Sequence, residues 1–500
     1  MTFIRKDLIL FITKQFYNVS MKKVLLVLFI CAAPGILLSQ QKVQIRISKP
    51  YCLFNFLETM NGSHAVSGSL KQYADSSALV KCKSFLAILE DYRTIQLYYP
   101  IRYDEFPTGR SQEGSTFDII SSAAVHAKDI DDFSDRILGI LPNTEVQKLI
   151  QCLKQIEPYY NTIIWNTQYP KLVHQVQMIE KKLTTDSTVF NKLKTFYGSA
   201  WSNDFPFIIS TYPIPGKHGN TGATPHGNCL CIGVLTSDSD YSGILGVAFH
   251  EMSHVLYKEQ PAALQYKIDN YFRTSTSPYK DLTYNYLNEA LATACGNGWA
   301  FKQLEGSFDK KEWYHNTYID GLAHAIYPVV ESYILADKEI DSVFITTTIK
   351  LFEKTFPDSF ASYETILADC IYYYDSRDEK HTRQDEVIKR YFNVSLTHVS
   401  SPILHHYSIE ELQTSNQPQF ILVDGNYETT FNKLNAIFPE LNEYMNGHKD
   451  TDFYVSFFDA KKRPVIIIRS TSNESLDKLV KEMKNDRIID RQKAFHAIRQ

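Results

Sequence analysis

The residue pattern with the clearest chemical meaning is His250-Glu251-x-x-His254. Two histidines four residues apart lie on the same face of an α-helix, close enough to bind one metal ion. Imidazole is a common ligand of Zn²⁺, which takes about four ligands and, in catalytic sites, keeps one position for water. Glu251 lies beside the first histidine, where its carboxylate can accept a proton from that water. The spacing therefore predicts one zinc ion on His250 and His254, with Glu251 as general base.

The neighbours of this motif predict a buried helix. Polar side chains in such a helix are costly unless they have partners, and a bound metal would supply one. The alternative is a structural helix with two hydrogen-bonded histidines. The helix is apolar on nearly every face. The apolar residues around the motif are Ile244, Leu245, Val247, Ala248, Phe249, Met252, Val255 and Leu256.

A catalytic zinc usually needs a third protein ligand, and Glu289 is the best candidate for it. The longer pattern H-E-x-x-H-x-x-G-x-x-H fails, because Tyr257 and Gln260 replace its glycine and last histidine. Glu289 lies in the helical run YNYLNEALATACGNGW, which we expect to end at Gly296 and Gly298. The alternative is that Glu289 is an ordinary glutamate on the surface of the helix. Its apolar setting favours it over four rival ligands, Glu259, Asp269, Glu305 and His315.

HExxH followed by the N-E-x-x-A segment at 288–292 resembles the gluzincin metallopeptidases, the group that includes thermolysin and the zinc aminopeptidases. The resemblance extends from about residue 205 to about residue 330. It implies a zincin-like catalytic domain with His250, His254 and Glu289 as the zinc ligands. It also implies that Glu251 is both general base and proton shuttle.

The chain departs from the thermolysin-like pattern at Thr293. Thermolysin-like enzymes have an aspartate at this position, four residues after the glutamate ligand, and it supports one of the histidines. We expect the hydrogen bond that orients the histidine to come from another group here, such as a backbone carbonyl.

The resemblance also implies a residue that stabilises the developing oxyanion, commonly a Tyr or His on a helix after the glutamate ligand. The segment YHNTYIDGLAHAIYP offers several such side chains. We favour Tyr327 as this catalytic residue, with Tyr318 and His324 as alternatives. Each of them can equally be a packed side chain with a satisfied polar group.

Two strands are predicted before the motif, in DFPFIISTYPIP and NCLCIGVLT, joined by a glycine-rich loop. In the resembled fold an edge strand here pairs with the extended peptide substrate. Residues 228–235 are our candidate for that strand. Zinc aminopeptidases carry a G-x-M-E-N segment nearby, whose glutamate holds the substrate's amine. The segment HGNCL has no acidic residue, which favours an endopeptidase or a specialised peptidase over a typical aminopeptidase.

The composition limits the classes of binding partner that the chain is expected to have. With 500 residues, a net charge of −4 and no basic run, nothing indicates binding to nucleic acid or to a membrane surface. A peptide or protein is the expected partner, as substrate. The oligomeric state is not indicated.

The N-terminal residues predict a signal peptide over 1–39, with Met21 as an alternative start. Lys22 and Lys23 precede an apolar run of about fifteen residues that ends near Ser39. Because a membrane span needs about twenty, we expect none in the mature chain and a secreted or periplasmic location. An uncleaved anchor is the alternative. Ile30 disfavours a lipoprotein anchor on Cys31.

The predicted fold is α+β and predominantly helical. It comprises a zincin-like metallopeptidase domain with a small mixed sheet and a small C-terminal α+β module. The expected boundaries are a mainly helical region at 40–200, the catalytic domain at 201–375, a linker at 376–417 and the module at 418–500.

Three functions fit the sequence. The first is a secreted or periplasmic zinc metallopeptidase in which zinc activates a water and Glu251 accepts its proton. The second is a non-catalytic exported binding protein on a peptidase fold, against which the intact Glu251 argues. The third is a zinc hydrolase of a non-peptide bond, since a fold alone does not determine the substrate.

Overall fold

The computed structural model describes residues 43–62, 67–103, 112–185, 188–239, 241–308, 312–375, 379–394, 398–445, 451–490 and 495–497. The described chain is predominantly helical with small mixed sheets, which confirms the predicted α+β class. The predicted signal peptide at 1–39 and Cys31 lie outside the described residues. Within them, every helix is too short or too polar to cross a membrane.

The chain forms two compact units. One comprises residues up to Thr276 together with Tyr284–Thr348, and the other comprises Ser277–Thr283 together with residues from Ile349 onward. The elements up to residue 355 are β1 (Val43–Arg46), α1 (Lys49–Asn61), α2 (Gly68–Asp75), α3 (Lys83–Arg93), β2 (Pro100–Tyr103), β3 (Gln112–Ser115), α4 (Thr116–His126), α5 (Ile130–Arg136), α6 (Asn143–Tyr160), α7 (Asn166–Thr185), α8 (Thr188–Tyr197), β4 (Phe207–Ile214), β5 (Ala223–His226), β6 (Cys229–Leu235), α9 (Tyr241–Lys258), α10 (Ala262–Thr274), α11 (Lys280–Thr293), α12 (Phe301–Glu305), α13 (Thr317–Leu335) and α14 (Ser342–Thr355).

The elements after residue 355 belong to the second unit. They are α15 (Tyr363–Ala368), β7 (Ile371–Tyr374), α16 (Glu379–Lys389), β8 (His398–Ser400), α17 (His406–Thr414), β9 (Gln419–Val423), α18 (Tyr427–Ile437), α19 (Leu441–Met445), β10 (Phe453–Phe458), β11 (Pro464–Arg469), α20 (Asn473–Asp486) and β12 (Phe495–Ala497).

The sheet that lies beside the HExxH helix has the order β1-β4-β6-β5. The strands β1, β4 and β6 are parallel, and β5 pairs antiparallel with β6 at the edge. The strand predicted at the edge, 228–235, is therefore internal, and β5 is the edge strand instead. Every residue of β4 and β6 is buried, as expected for strands covered on both faces. β5 contains Pro225, which has no N–H to donate and is therefore suited to an edge.

The HExxH motif lies on α9, which packs against β5 and β6. Its apolar side chains are buried as predicted, among them Leu245, Phe249, Met252 and Leu256. The N-terminal helices share a core with the strands of this sheet, since one buried cluster runs from Tyr51 to Leu235. The observed units therefore differ from the predicted division at residue 200, because β1 completes the same sheet as β4 and β6.

The second unit is built on a six-stranded sheet of order β12-β10-β11-β9-β7-β8. Alternate residues of β9 and β11 enter two separate cores, one on each face. The segment 371–374 forms the buried strand β7, although a short apolar run of this kind fits a buried helix equally well. The predicted linker at 376–417 contains α16, β8 and α17, and β8 pairs with β7.

The turn between β10 and β11 contains a buried ion pair between Asp459 and Arg463. Asp459 Oδ2 lies 2.6 Å from Arg463 Nη2, and Asp459 Oδ1 accepts the backbone N–H of Lys461 and of Arg463. We expect Asp459→Ala to lower the free energy of unfolding by about 3–5 kcal/mol, because it leaves a buried guanidinium unpaired. Urea unfolding followed by circular dichroism measures this change.

The matched control is Lys478→Ala, which removes an exposed pair of the same spacing with Glu474 in the same unit. It should leave the unfolding transition unchanged. Equal effects of the two substitutions would contradict the role given to the buried pair.

Candidate metal centre

Three side chains from two helices converge on one point. The Nε2 atoms of His250 and His254 on α9 lie 3.1 Å apart, and Glu289 Oε2 on α11 lies 3.5 Å from each of them. His250 is buried, whereas about a third of the Glu289 side chain is exposed. The group is thus open to solvent on the side of Glu289. Among the described residues this is the cluster of histidine, cysteine and acidic side chains that could hold a metal ion.

The spacing of these atoms fits a tetrahedral zinc ion. Zinc bonds to nitrogen and oxygen of about 2.0–2.2 Å at tetrahedral angles put neighbouring ligand atoms about 3.3–3.5 Å apart. The three observed separations, 3.1, 3.5 and 3.5 Å, lie close to that range. Two imidazoles and one carboxylate are also a ligand set that catalytic zinc uses.

The other nitrogen of each imidazole faces a polar side chain on α11. Asn288 Oδ1 lies 3.1 Å from His254 Nδ1, and Thr293 Oγ1 lies 3.5 Å from His250 Nδ1. These contacts leave both Nε2 atoms directed at Glu289. The sequence has Thr293 where the thermolysin-like pattern has the aspartate that supports a histidine. In the structure the Thr293 hydroxyl itself faces His250, in place of the backbone group that we expected. Both supporting groups are neutral, unlike the aspartate of the thermolysin-like pattern.

Gly296 brings the two ligand-bearing helices together. The run after α11 continues as a π-helical segment, Ala294–Ala300, so the predicted helix end at Gly296 and Gly298 is wrong. A Cβ atom at Gly296 would lie 2.2 Å from the backbone nitrogen of His250. Only a glycine allows this approach, which is why a glycine occurs within a helical run. Segments of π-helix are frequent at functional sites.

Tyr314 is the residue at this centre that the sequence did not reveal. Its ring stacks on the ring of His250, with centroids 5.8 Å apart and planes at 22°. Burial raises the pKa of the Tyr314 phenol to about 12, assisted by the charge of Glu289, a hydrogen bond to Glu289 and the charge of Glu251. The phenol, which is protonated at neutral pH in any tyrosine, thus keeps its proton at alkaline pH as well and can donate a hydrogen bond at the centre.

The residues predicted for the same role have other partners. The hydroxyl of Tyr327 donates to Glu331 at 2.8 Å, and the Tyr318 ring stacks on Tyr286. His324 lies 3.6 Å from Asp320 and stacks on Trp313. The catalytic role of Tyr327 stays a prediction.

Two of the rival zinc ligands are also placed by the structure. Glu305 forms an ion pair with Lys182, and His315 is fully exposed beside Glu312. Neither of them joins the group formed by His250, His254 and Glu289.

The charges within the centre stabilise one another. Burial alone would raise the pKa of Glu289, but hydrogen bonds from both histidines and their charges lower it well below its usual value. Burial alone would lower the pKa of His254, but Glu289, Glu251 and Asn288 raise it above its usual value. Burial raises the pKa of Glu251, with the histidines opposing this and Glu289 adding to it. A raised pKa brings Glu251 closer to the range in which a carboxylate exchanges protons at neutral pH.

The chain matches no protein-family model, no curated protein and no solved structure.

Gly296→Ala should weaken the binding of added Zn²⁺, because the new methyl group forces the π-helical segment away from His250 and separates the ligands. We expect a loss of affinity of about 10- to 100-fold, the range seen when the surroundings of metal ligands are disturbed. Competition with a chromophoric chelator measures it. Gly68→Ala is the control, since nothing lies within 4 Å of a Cβ at that helical glycine. Unchanged affinity in Gly296→Ala would refute the role of the helix contact.

Thr293 provides a second test that does not alter the helix contact. Thr293→Val removes the hydroxyl that faces His250 Nδ1 but keeps the shape of the side chain, and we expect about a 10-fold loss of zinc affinity. Thr293→Ser keeps the hydroxyl and should retain the affinity. Equal affinities in the two variants would show that the hydroxyl does not support His250.

Proposed function

We propose that this chain is a zinc-dependent metallopeptidase of gluzincin type, with a zincin-like catalytic domain. The observation that carries the proposal is the convergence of His250, His254 and Glu289 at separations suited to tetrahedral zinc, with Glu251 beside them. Bound zinc supplies Lewis-acid chemistry: it makes a water nucleophilic near neutral pH and polarises the carbonyl that the water attacks.

Glu251 is the proton carrier in this proposal. It follows the first ligand on α9 and interacts electrostatically with both histidines and with Glu289. Because burial favours its protonated form, the carboxylate readily accepts the proton of the attacking water. It then returns that proton to the leaving amine. A group that both takes and gives a proton needs a pKa nearer to neutrality than an exposed glutamate has.

Tyr314 is the proposed oxyanion donor, in place of Tyr327. Its phenol is protonated and hydrogen-bonds with Glu289, and its ring stacks on that of His250. A phenol in this position can donate to the oxygen that becomes negative during peptide hydrolysis.

The proposed substrate is an extended peptide that lies along the outer edge of β5, where the backbone groups beside Pro225 supply the hydrogen bonds because proline has no N–H to donate. This four-residue strand is the antiparallel edge of its sheet, and α9 packs directly against it. Adding a strand there binds backbone groups and leaves sequence preference to side-chain contacts. The sequence HGNCL at this place has no carboxylate for a free amine. This supports an endopeptidase, acting after export through the predicted signal peptide.

The proposal is tested by zinc content and cleavage of a peptide mixture, measured side by side on purified variants of the mature chain. The wild-type chain should bind one zinc ion and cleave. Glu251→Gln should keep the metal and lose cleavage by at least about 100-fold, because only the proton carrier is removed. Glu289→Ala should lose the metal. The control is Glu259→Ala, at an exposed residue directly after the motif helix, which should change neither property.

Each other outcome selects an alternative. A wild-type chain without zinc affinity would refute the metal centre. Zinc binding without peptide cleavage would favour the two remaining functions, an exported binding protein or a hydrolase of a non-peptide bond. Full cleavage by Glu251→Gln would remove Glu251 from the mechanism.

A further inference from the structure

A carboxylate on α13 holds the backbone that carries Tyr314. Asp320 Oδ1 accepts the backbone N–H of Trp313 at 2.9 Å and that of Tyr314 at 3.1 Å. Hydrogen bonds to a charged acceptor are stronger than those between neutral groups. The Asp320 side chain is only 20% exposed, so competition from water is limited. The two peptide groups that flank Trp313 cannot rotate without breaking these bonds.

The Trp313 side chain is anchored independently of these bonds. Its ring stacks on His324 with centroids 3.9 Å apart, and it contacts Tyr327 edge to face. On another side, a Cβ atom at Gly298 would lie 2.9 Å from the Trp313 ring, so the glycine makes room for it. Trp313 therefore fixes one side of this backbone, and the next residue, Tyr314, extends to His250 and Glu289.

Asp320 is not needed to cap its own helix. Asn316 already serves as the N-terminal cap of α13, because its side-chain oxygen accepts the backbone N–H of Tyr318 and of Ile319. The bonds of Asp320 instead run backward along the chain to 313 and 314. A stabilising role within the helix therefore does not account for them.

We infer that Asp320 is a positioning residue that determines where the Tyr314 phenol lies at the metal centre. Its effect on cleavage rests on the proposed function, whereas its effect on the position of Tyr314 does not. Asp320 does not touch substrate in this scheme and acts only through Tyr314. His324 contacts the same two residues, because it lies 3.6 Å from Asp320 and its ring stacks on that of Trp313.

A double-mutant cycle tests whether Asp320 acts through Tyr314. Tyr314→Phe should lower kcat by about 100-fold, as the loss of an oxyanion donor does, with zinc still bound. Asp320→Ala should lower kcat in the wild-type background but have no further effect in the Tyr314→Phe background. Asp320→Asn keeps an acceptor oxygen and should restore most of kcat. Additive effects of the two substitutions would overturn the inference.

The matched control for the cycle is Asp341→Ala. Asp341 also accepts a backbone N–H, that of Phe344 at 2.8 Å, but it lies at the start of α14. This variant should leave kcat unchanged in both backgrounds. A fall in kcat equal to that of Asp320→Ala would show that losing any such carboxylate acts through stability alone.

A second measurement needs neither metal nor cleavage. 3-Fluorotyrosine introduced at position 314 reports its surroundings through its ¹⁹F resonance, which the stacked His250 ring shifts. In the metal-free chain, Asp320→Ala should move the resonance toward that of free fluorotyrosine, whereas Asp320→Asn and Asp341→Ala should not. An unmoved resonance in Asp320→Ala would refute the positioning role. Absence of zinc binding or cleavage would refute the proposed function. The comparison of ¹⁹F resonances would still test whether Asp320 positions Tyr314, because it needs no metal.

Discussion

The candidate centre depends on the cost of keeping ionisable side chains in an apolar interior. The helix that carries His250, Glu251 and His254 is buried by apolar neighbours, and such surroundings penalise each charge that lacks a partner. The two imidazoles and the Glu289 carboxylate meet this cost by facing one another, as the lowered pKa of Glu289 and the raised pKa of His254 indicate. Groups that stabilise one another in this way share a small space, which is the same condition that a metal ion imposes on its ligands.

The rest of the first unit provides that proximity. A sheet whose two central strands are buried throughout packs against α9 on one side, and the π-helical segment supplies the second contact. Short polar side chains on α11, Asn288 and Thr293, then set the orientation of the rings. Helix packing therefore determines where the two helices cross, whereas neutral hydrogen-bonding groups determine the orientation of the imidazole rings.

The sequence could predict what is local and could not predict what depends on tertiary contacts. Spacing alone put the two histidines on one helix face, and Glu289 stood out as an acidic residue among apolar ones. Tyr314 could not be found in this way, since it precedes α13 and its position is set by contacts of Trp313 and Asp320 with the backbone. The hydrogen bond from Tyr327 to Glu331 was predictable, because the two residues lie four apart on one helix. The glycine at 296 permitted two interpretations, a helix end or a close approach, and the sequence does not choose between them.

The contact at Gly296 also indicates how relatives of this chain could be recognised. Any protein that crosses its two helices at the same distance needs a residue without a side chain at that position, seven residues after the glutamate ligand. Together with the asparagine and threonine that face the histidines, this extends the short motif to H-E-x-x-H followed downstream by N-E-x-x-x-T-x-x-G. Such a signature describes the geometry of the crossing rather than the zinc chemistry. It could therefore separate chains with this helix packing from the many that carry HExxH alone.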